Sequence, residues 1–493
     1  MNGLIPHFHK GRMSGDVLVL GINTREHTVA EMAEHVGMVF QDFEAQLFST
    51  NVVLEVAFGP ENFAVERDEI RRRVDENLAY VGLSEYYRRP PSTLSGGQKQ
   101  KLAIASTLAL QPTILVMDEP TTDLDPISKL GIFDITNQLR KREDILLIVV
   151  EHESEETLNA DRIILIKDGK VVKEGTPRRI HMEVELLESL GIMPLGIPRF
   201  FKMMGYKELP ITPDEGEQAF RQAGWKLSDE KYEQIMEGDR QRQARYSHSI
   251  IQCRELVHTY PNGVQALQGI NLDIYQGEMI AIVGQNGSGK TTLAKHINGL
   301  LMPTGGEIDV FGAPTQAQGV FKLGQKVGYV FQNPDHQIFS ETVFAEVAFS
   351  PTLGKQSKAE IAQRVQEALN AVGLEGLEEE DPFTLTKSGR QRVAVASVLA
   401  AQPEVLILDE PTTGLDYAEQ RSMMEMVKRL NEQGSTIIFI THHMWVVAEY
   451  AQRVFVMRDG KLLLEGSTRQ VFSHGNELHN AFLRPPHFVD FSN

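Results

Sequence analysis

The residues Gly284, Gln285, Asn286, Gly287, Ser288, Gly289, Lys290, Thr291 and Thr292 form a glycine-rich run with a lysine near its end. Their spacing fits the phosphate-loop pattern G-x-x-x-x-G-K-[ST]. The apolar run Met279–Val283 precedes them and a helical pattern, Leu293–Leu301, follows. That strand–loop–helix context is what the chemistry requires. Glycines let backbone N–H groups converge on phosphate oxygens, and the helix N-terminus adds its positive dipole end. Lys290 is expected to bridge the β- and γ-phosphates of a nucleotide, and Thr291 to bind Mg²⁺.

Asp409 and Glu410 close a second apolar run, Val405–Leu408. A carboxylate at a strand's C-terminal end lies beside the phosphate crevice of an open α/β sheet. Asp409 is expected to hold Mg²⁺, directly or through water. Glu410 is expected to orient or deprotonate an attacking water.

The elements that must position these groups occur twice. Val36-Gly37-Met38-Val39-Phe40-Gln41 recurs as Val327-Gly328-Tyr329-Val330-Phe331-Gln332, and Asp118-Glu119-Pro120-Thr121-Thr122 as Asp409-Glu410-Pro411-Thr412-Thr413. Gln41 to Gln332 and Glu119 to Glu410 are the same 291-residue step. Two motifs at one offset indicate a duplicated domain. Asn2-Gly3-Leu4 likewise matches Asn298-Gly299-Leu300. The first-half counterpart of the phosphate loop would therefore precede Met1. The first domain is expected to be N-terminally truncated, through a mis-assigned start or as a fragment, and to lack its phosphate loop.

Short apolar runs at Ile114–Met117, Ile145–Val150, Ile163–Ile166, Met279–Val283, Val405–Leu408, Ile437–Ile440 and Val454–Met457 alternate with helical patterns such as Lys358–Val372 and Ala418–Gln433. The alternation predicts buried, parallel strands in an α/β fold. Between the halves the motifs stop, and Pro194, Pro198, Pro210 and Pro213 punctuate a charged stretch. The predicted organisation is a first domain over 1–183, a connector with a few short helices over 184–248, and a second, complete domain over 249–493.

Composition narrows the function classes. A net charge of −18 argues against broad duplex or RNA binding. The single cysteine, Cys253, excludes an intrachain disulfide and suits a reducing compartment. The longest aliphatic run, Ile145–Val150, is far short of the about 20 apolar residues that span a bilayer. No charged-then-apolar signal-peptide pattern is read at the start of this sequence, and none is expected. His7, His9 and Lys10 read as a solvated loop rather than a metal cluster.

Leu94-Ser95-Gly96-Gly97-Gln98 resembles the signature motif of ABC ATPases. The order of phosphate loop, Gln332, signature region, Asp409-Glu410 and His442 resembles that domain from end to end. The segments Phe40-Gln41 to Gln46-Leu47-Phe48 and Phe331-Gln332 to Gln337-Ile338-Phe339 resemble the energy-coupling-factor branch, which serves cobalt and vitamin uptake. The resemblance implies two P-loop NTPase domains in tandem, each a mostly parallel sheet with a helical subdomain. It implies an ATPase with ATP and Mg²⁺ as ligands.

Residue by residue, the resemblance makes Tyr260 the aromatic that stacks on adenine. It makes Gln332 the sensor of Mg²⁺ and water that also touches the membrane partner. His442 becomes the switch histidine at the γ-phosphate, although counting back from Asp459 favours its neighbour His443. Gln41, Asp118, Glu119 and His152 are the first-half counterparts, with structural retention as open a reading as activity. In this family each ATP lies between one domain's loop and the other's signature. Ser95, Gly96, Gly97 and Gln98 would then complete the site of Lys290. The second signature reads Leu385-Thr386-Lys387-Ser388-Gly389-Arg390, with side chains in place of both glycines. One competent site is therefore expected.

The implied partners are separate transmembrane subunits, with a substrate-binding membrane subunit as a further candidate, and the implied location is the cytoplasmic face of the membrane. Two other classes stand beside this. Soluble tandem ABC proteins act on ribosomes or DNA, but usually through a long basic or coiled-coil connector. Here residues 184–248 hold nine Lys or Arg against eleven Asp or Glu, and no nucleic acid is expected. A binding-only regulatory module would show ATP binding without hydrolysis.

Overall fold

Each apolar run named above becomes a strand, with boundaries shifted by no more than one residue. The structure, a computed structural model, describes residues 1–121, 124, 126–151, 153–226, 228–354, 356–483 and 485. They fall into two units, Met1–Pro177 and Arg178–Asn493.

In the first unit, β1 (Val36–Val39), α1 (Val52–Asn62), α2 (Arg67–Tyr80), α3 (Gly96–Leu108), β2 (Ile114–Asp118), α4 (Pro126–Arg140) and β3 (Leu146–Val150) are followed by the hairpin β4 (Ile163–Lys167) and β5 (Lys170–Gly175). Strands β1, β2 and β3 pair in parallel, whereas β4 and β5 form a separate antiparallel sheet. One face of β2, Leu115 and Met117, joins the core under α1, α2 and α3. The other, Ile114 and Val116, joins a smaller cluster around Met32.

The expectation of buried strands fails at two places in this unit. Leu146 is 57% exposed and Ile166 64%. The cause is the break between β3 and β4. In the second unit a central strand lies between their counterparts, and among the described residues of the first unit no strand does.

Residues 178–248 group with the second unit. They form α5 (Val184–Ser189), α6 (Gly196–Met203), α7 (Pro213–Gln222) and α8 (Asp229–Ala244). Pro213 opens α7, where its missing N–H costs nothing, and Thr212 caps it by accepting from Glu215 N–H. Val184, Ile197, Phe201 and Leu209 make a small core of their own, with Trp225 stacked 5.7 Å from Phe201.

The remainder contains β6 (Ser249–Thr259), β7 (Gln265–Tyr275), β8 (Met279–Val283), α9 (Lys290–Ile297), β9 (Gly305–Val310), β10 (Ala313–Pro314), β11 (Val327–Val330), α10 (Val343–Thr352), α11 (Lys358–Val372), α12 (Lys387–Leu399), β12 (Val405–Asp409), α13 (Tyr417–Glu432), β13 (Thr436–Ile440), β14 (Arg453–Arg458) and β15 (Lys461–Ser467). The main sheet has the order β11-β12-β13-β8-β14-β15 and is parallel except at the β14–β15 edge. A four-stranded antiparallel sheet, β10-β9-β6-β7, lies beside it and was not foreseen as antiparallel. Alternation along β8 explains why it reads as unbroken apolar sequence. Met279, Ala281 and Val283 face the core of α10 to α13, while Ile280 and Ile282 face the antiparallel sheet and α9. Each fully buried aliphatic side chain contributes about 1.5–3 kcal/mol, so β8 is well anchored where the phosphate loop leaves it.

Candidate functional site

The loop leaves β8 at Gly284 and enters α9 at Lys290. Its glycines are demanded by close approach. A Cβ on Gly284 would stand 2.2 Å from the Met457 carbonyl oxygen, and one on Gly289 2.5 Å from that of Ala266. Gly289 also takes φ = 100°, a left-handed conformation that suits glycine. Lys290 Nζ folds back over the loop and donates to the carbonyls of Gly284 (2.8 Å) and Gln285 (3.0 Å). Gln285 reaches Asp459 at 3.5 Å, Asn286 is exposed and Ser288 is buried.

Three strand ends bring the other groups to this loop. Asp409 ends β12 and is 5% exposed. It accepts from Tyr329 Oη at 2.7 Å and from Thr291 Oγ1 at 3.4 Å. Burial pushes the Asp409 carboxyl above its ordinary range, against those two hydrogen bonds. Glu410 follows at φ = 51°, a strained left-handed backbone for a residue with a Cβ. Its N–H donates to the Ile440 carbonyl at the end of β13, and its Oε2 lies 2.8 Å from His442 Nδ1.

His443 turns elsewhere, with Nδ1 3.0 Å from Thr412 Oγ1. Strand register bears on the choice between the two histidines. Asp409 pairs with Ile440 and Asp118 with Val150, so position 442 corresponds to position 152. The count from Asp459 favours 443 only because one extra residue lies between that strand and Asp459. His152 itself lies outside the described residues.

Two candidate residues stand apart from this cluster in the second unit. Gln332 is exposed and makes no hydrogen bond to Asp409 or Glu410 among the described residues. Tyr260 follows β6, with Oη 3.1 Å from Thr292 Oγ1, the second residue after Lys290. Tyr329 is the group that sequence reasoning missed. The only signal for it was an aromatic in a strand whose first-half counterpart is Met38.

In the first unit Gln41 Nε2 donates to Glu119 Oε2 at 2.7 Å, and Glu119 repeats the left-handed backbone at φ = 45°. Burial, with help from Glu119, raises the Asp118 carboxyl. Ser95 and Gln98 form a reciprocal cap on α3. Gln98 N–H donates to Ser95 Oγ, and Ser95 N–H donates to Gln98 Oε1. Gly97 is needed for packing, since a Cβ there would meet Ser128 Oγ at 2.2 Å, whereas one on Gly96 would make only an ordinary contact, 3.8 Å from Leu124 Cδ2. At the matching place in the second unit Lys387 heads α12, and its Nζ crosses over Gly414.

The site residues fit a hydrated Mg²⁺. Thr291 and Asp409 offer hard oxygen donors side by side, as this ion prefers.

A family model described as ABC transporter matches residues 4–122 and 267–413. A relative named as an ABC transporter ATP-binding protein, from Caldanaerobacter subterraneus subsp. tengcongensis, is 55% identical over 100% of this chain and 87% of its own length. Another of that name, from Methanosarcina mazei, is 38% identical over 98% of this chain and 84% of its own. The solved structure of cbiO1 from Clostridium perfringens, part of the ABC transporter complex cbiONQ, is 38% identical. It covers 50% of this chain and 99% of its own, with a TM-score of 0.45. With the family's motifs matched in both halves, this chain belongs to the ABC transporter family, as an ATP-binding subunit and ATPase with two such domains in tandem.

Proposed function

We propose that this chain supplies the energy for a membrane transporter, and that it hydrolyses ATP at one competent site. The observation that carries the reading is the convergence of Lys290, Thr291 with Asp409, and Glu410 with His442 on neighbouring strand ends. The proposed domains are a first ATPase domain over 1–183, a connector over 184–248 and a second ATPase domain over 249–493.

Adenine stacks on Tyr260. Backbone N–H groups of Gly284–Thr292 and the Lys290 ammonium hold the phosphates. Thr291, Asp409 and Gln332 would hold Mg²⁺, which would withdraw charge from the phosphates. Glu410 orients a water and takes its proton as the water oxygen bonds to the γ-phosphorus and the bond to ADP breaks. His442 fixes the Glu410 carboxylate for that task and meets the γ-phosphate. Ser95, Gly96, Gly97 and Gln98 complete the site from the first half in a head-to-tail sandwich. Gln41, Asp118, Glu119 and His152 belong to a reciprocal site that does not turn over, because Lys387 and Ser388 occupy the positions of its two signature glycines.

Among the described residues no helix is long and apolar enough to cross a membrane, so transport requires separate membrane subunits. Exposed aromatic pairs downstream of both glutamines support such a partner. Phe48 and Phe58 lie 4.6 Å apart edge to face, and Phe339 and Phe349 4.8 Å. Exposed aromatic surface suits the apolar face of a partner helix. The Gln-x-Phe segments favour the energy-coupling-factor type, hence uptake of a vitamin, precursor or metal ion, at the cytoplasmic face.

The test is Lys290→Ala in the full chain. Hydrolysis should fall to background. Hydrolysis at the parental rate would overturn the one-site reading.

A further inference from the structure

Behind Tyr260 lies a closed ring of four side chains. The His258 ring packs edge-on to Tyr260, 4.7 Å between centroids at 84°. The same His258 ring packs against His296, again at 4.7 Å. His296 Nδ1 lies 2.7 Å from the carbonyl oxygen of Thr292, one helical turn earlier, and Thr292 Oγ1 closes the ring on Tyr260 Oη at 3.1 Å. Both histidines are buried, at 7% and 0% exposure.

A carbonyl oxygen only accepts. His296 Nδ1 therefore carries its proton toward Thr292, and His258 Nδ1 its proton toward Met302 O at 3.1 Å. His258 Nε2 is buried with no hydrogen bond among the described residues, and the Met302 carbonyl acts on the His296 ring as well. Burial pushes the His296 imidazole below its ordinary range, against the carbonyls of Thr292 and Met302. A leucine would fill either volume without burying a polar ring, but it would offer no ring edge or face to Tyr260. The geometry of the two rings links the aromatic platform to the helix that starts at Lys290.

We propose that His258 and His296 are positioning residues for the nucleobase. They fix the pitch of Tyr260 relative to Lys290 and so set how tightly adenine is held while the phosphates are held elsewhere. The inference rests on the reading of Tyr260 as the adenine platform.

The experiment measures steady-state ATP hydrolysis by the full chain, with inorganic tripolyphosphate as a competitive inhibitor that carries no base. His258→Ala should raise KM for ATP about fivefold and leave kcat and the tripolyphosphate Ki unchanged, the size expected for one aromatic pair. His258→Phe, which keeps the edge-on ring, should bring KM back to within about twofold of the parent. An unchanged KM in His258→Ala, an equal rise in the tripolyphosphate Ki, or no rescue by phenylalanine would overturn the proposal. Tyr260→Ala separates the two readings. If it leaves KM unchanged, the platform reading fails. If it raises KM while His258→Ala does not, only the positioning role fails. Should His258→Ala not fold, Tyr260→Phe removes just the hydroxyl link to Thr292. The same split, smaller, supports the proposal, and its absence overturns it.

Discussion

His442 Nδ1 and Glu410 Oε2 stand 2.8 Å apart, with side chains only 19% and 10% exposed. Burial alone would push the Glu410 carboxyl up. The nearby His442, its hydrogen bond and Lys290 outweigh that and hold the group below its ordinary range. Glu410 is thus a carboxylate at neutral pH, hydrogen-bonded to His442 and within the field of Lys290. Glu410→Gln should lower kcat by about 10²- to 10⁴-fold, the usual worth of a positioned general base, with ATP still bound. Adding His442→Ala to Glu410→Gln should cost little more, because the two act as one unit. Additive losses in single-turnover assays would show that His442 works without Glu410.

The glycine in each Val-Gly-x-Val strand carries a packing constraint. A Cβ on Gly328 would lie 2.2 Å from Val398 Cγ1, and one on Gly37 2.4 Å from Thr107 Cγ2. Both neighbours are β-branched and stiff, on helices pressed against the sheet. Gly328→Ala should destabilise the second unit by about 1–3 kcal/mol through overpacking. A lower urea midpoint at unchanged slope is the expected signature.

How far the sequence carries depends on the element. Strand β8 was legible because five consecutive buried residues precede a glycine loop, and its described ends match the reading at Met279 and Val283. Helix α11 was legible because Ser357 and Glu360 form a capping box at its start and Gly373 takes a left-handed turn at its end. Strands β6 and β7 were not, since their antiparallel register depends on bulges and on partners up to 59 residues away, as Val310 is from Ile251. The loop, Asp409 and Glu410 could be placed from spacing alone. The pairing of Tyr329 with Asp409 could not, because it joins residues 80 apart through the order of strands.

One ion pair recurs in both units. Lys99 Nζ lies 2.9 Å from Glu44, and at the matching positions Arg390 Nε lies 2.7 Å from Asp335. Each ties the segment after the glutamine to the signature helix. The acids are 57% and 43% exposed, so a double-mutant cycle on Asp335 and Arg390 should give a coupling of about 0.2–1 kcal/mol. Arg390 also donates to the Leu385 carbonyl at 2.7 Å. Arg390→Ala should therefore cost more than Asp335→Ala, and equal losses would argue that the carbonyl contact is without weight.

In the first unit two half-buried carboxyl groups share one hydroxyl. Thr121 Oγ1 lies 2.9 Å from Glu156 Oε2 and 3.3 Å from Glu151 Oε1. Burial, and for Glu156 the charge of Glu151, drives their proton affinity up. The sign follows from linkage. A carboxyl raised in the folded state binds more protons there than in the unfolded chain, so stability falls as pH rises past the ordinary carboxylate range. Glu156→Gln keeps the shape and removes one ionisation. It should leave the first unit unchanged near pH 4 and stabilise it at pH 8 by at least about 1 kcal/mol, the worth of one pKa unit. Hydrogen exchange in the peptide Leu146–Thr157 reads this locally. Slower exchange of the variant at pH 8, with no difference at acidic pH after correction for intrinsic rates, is the expected result. Equal protection at both pH values would mean that the two carboxyl groups hold no shared proton.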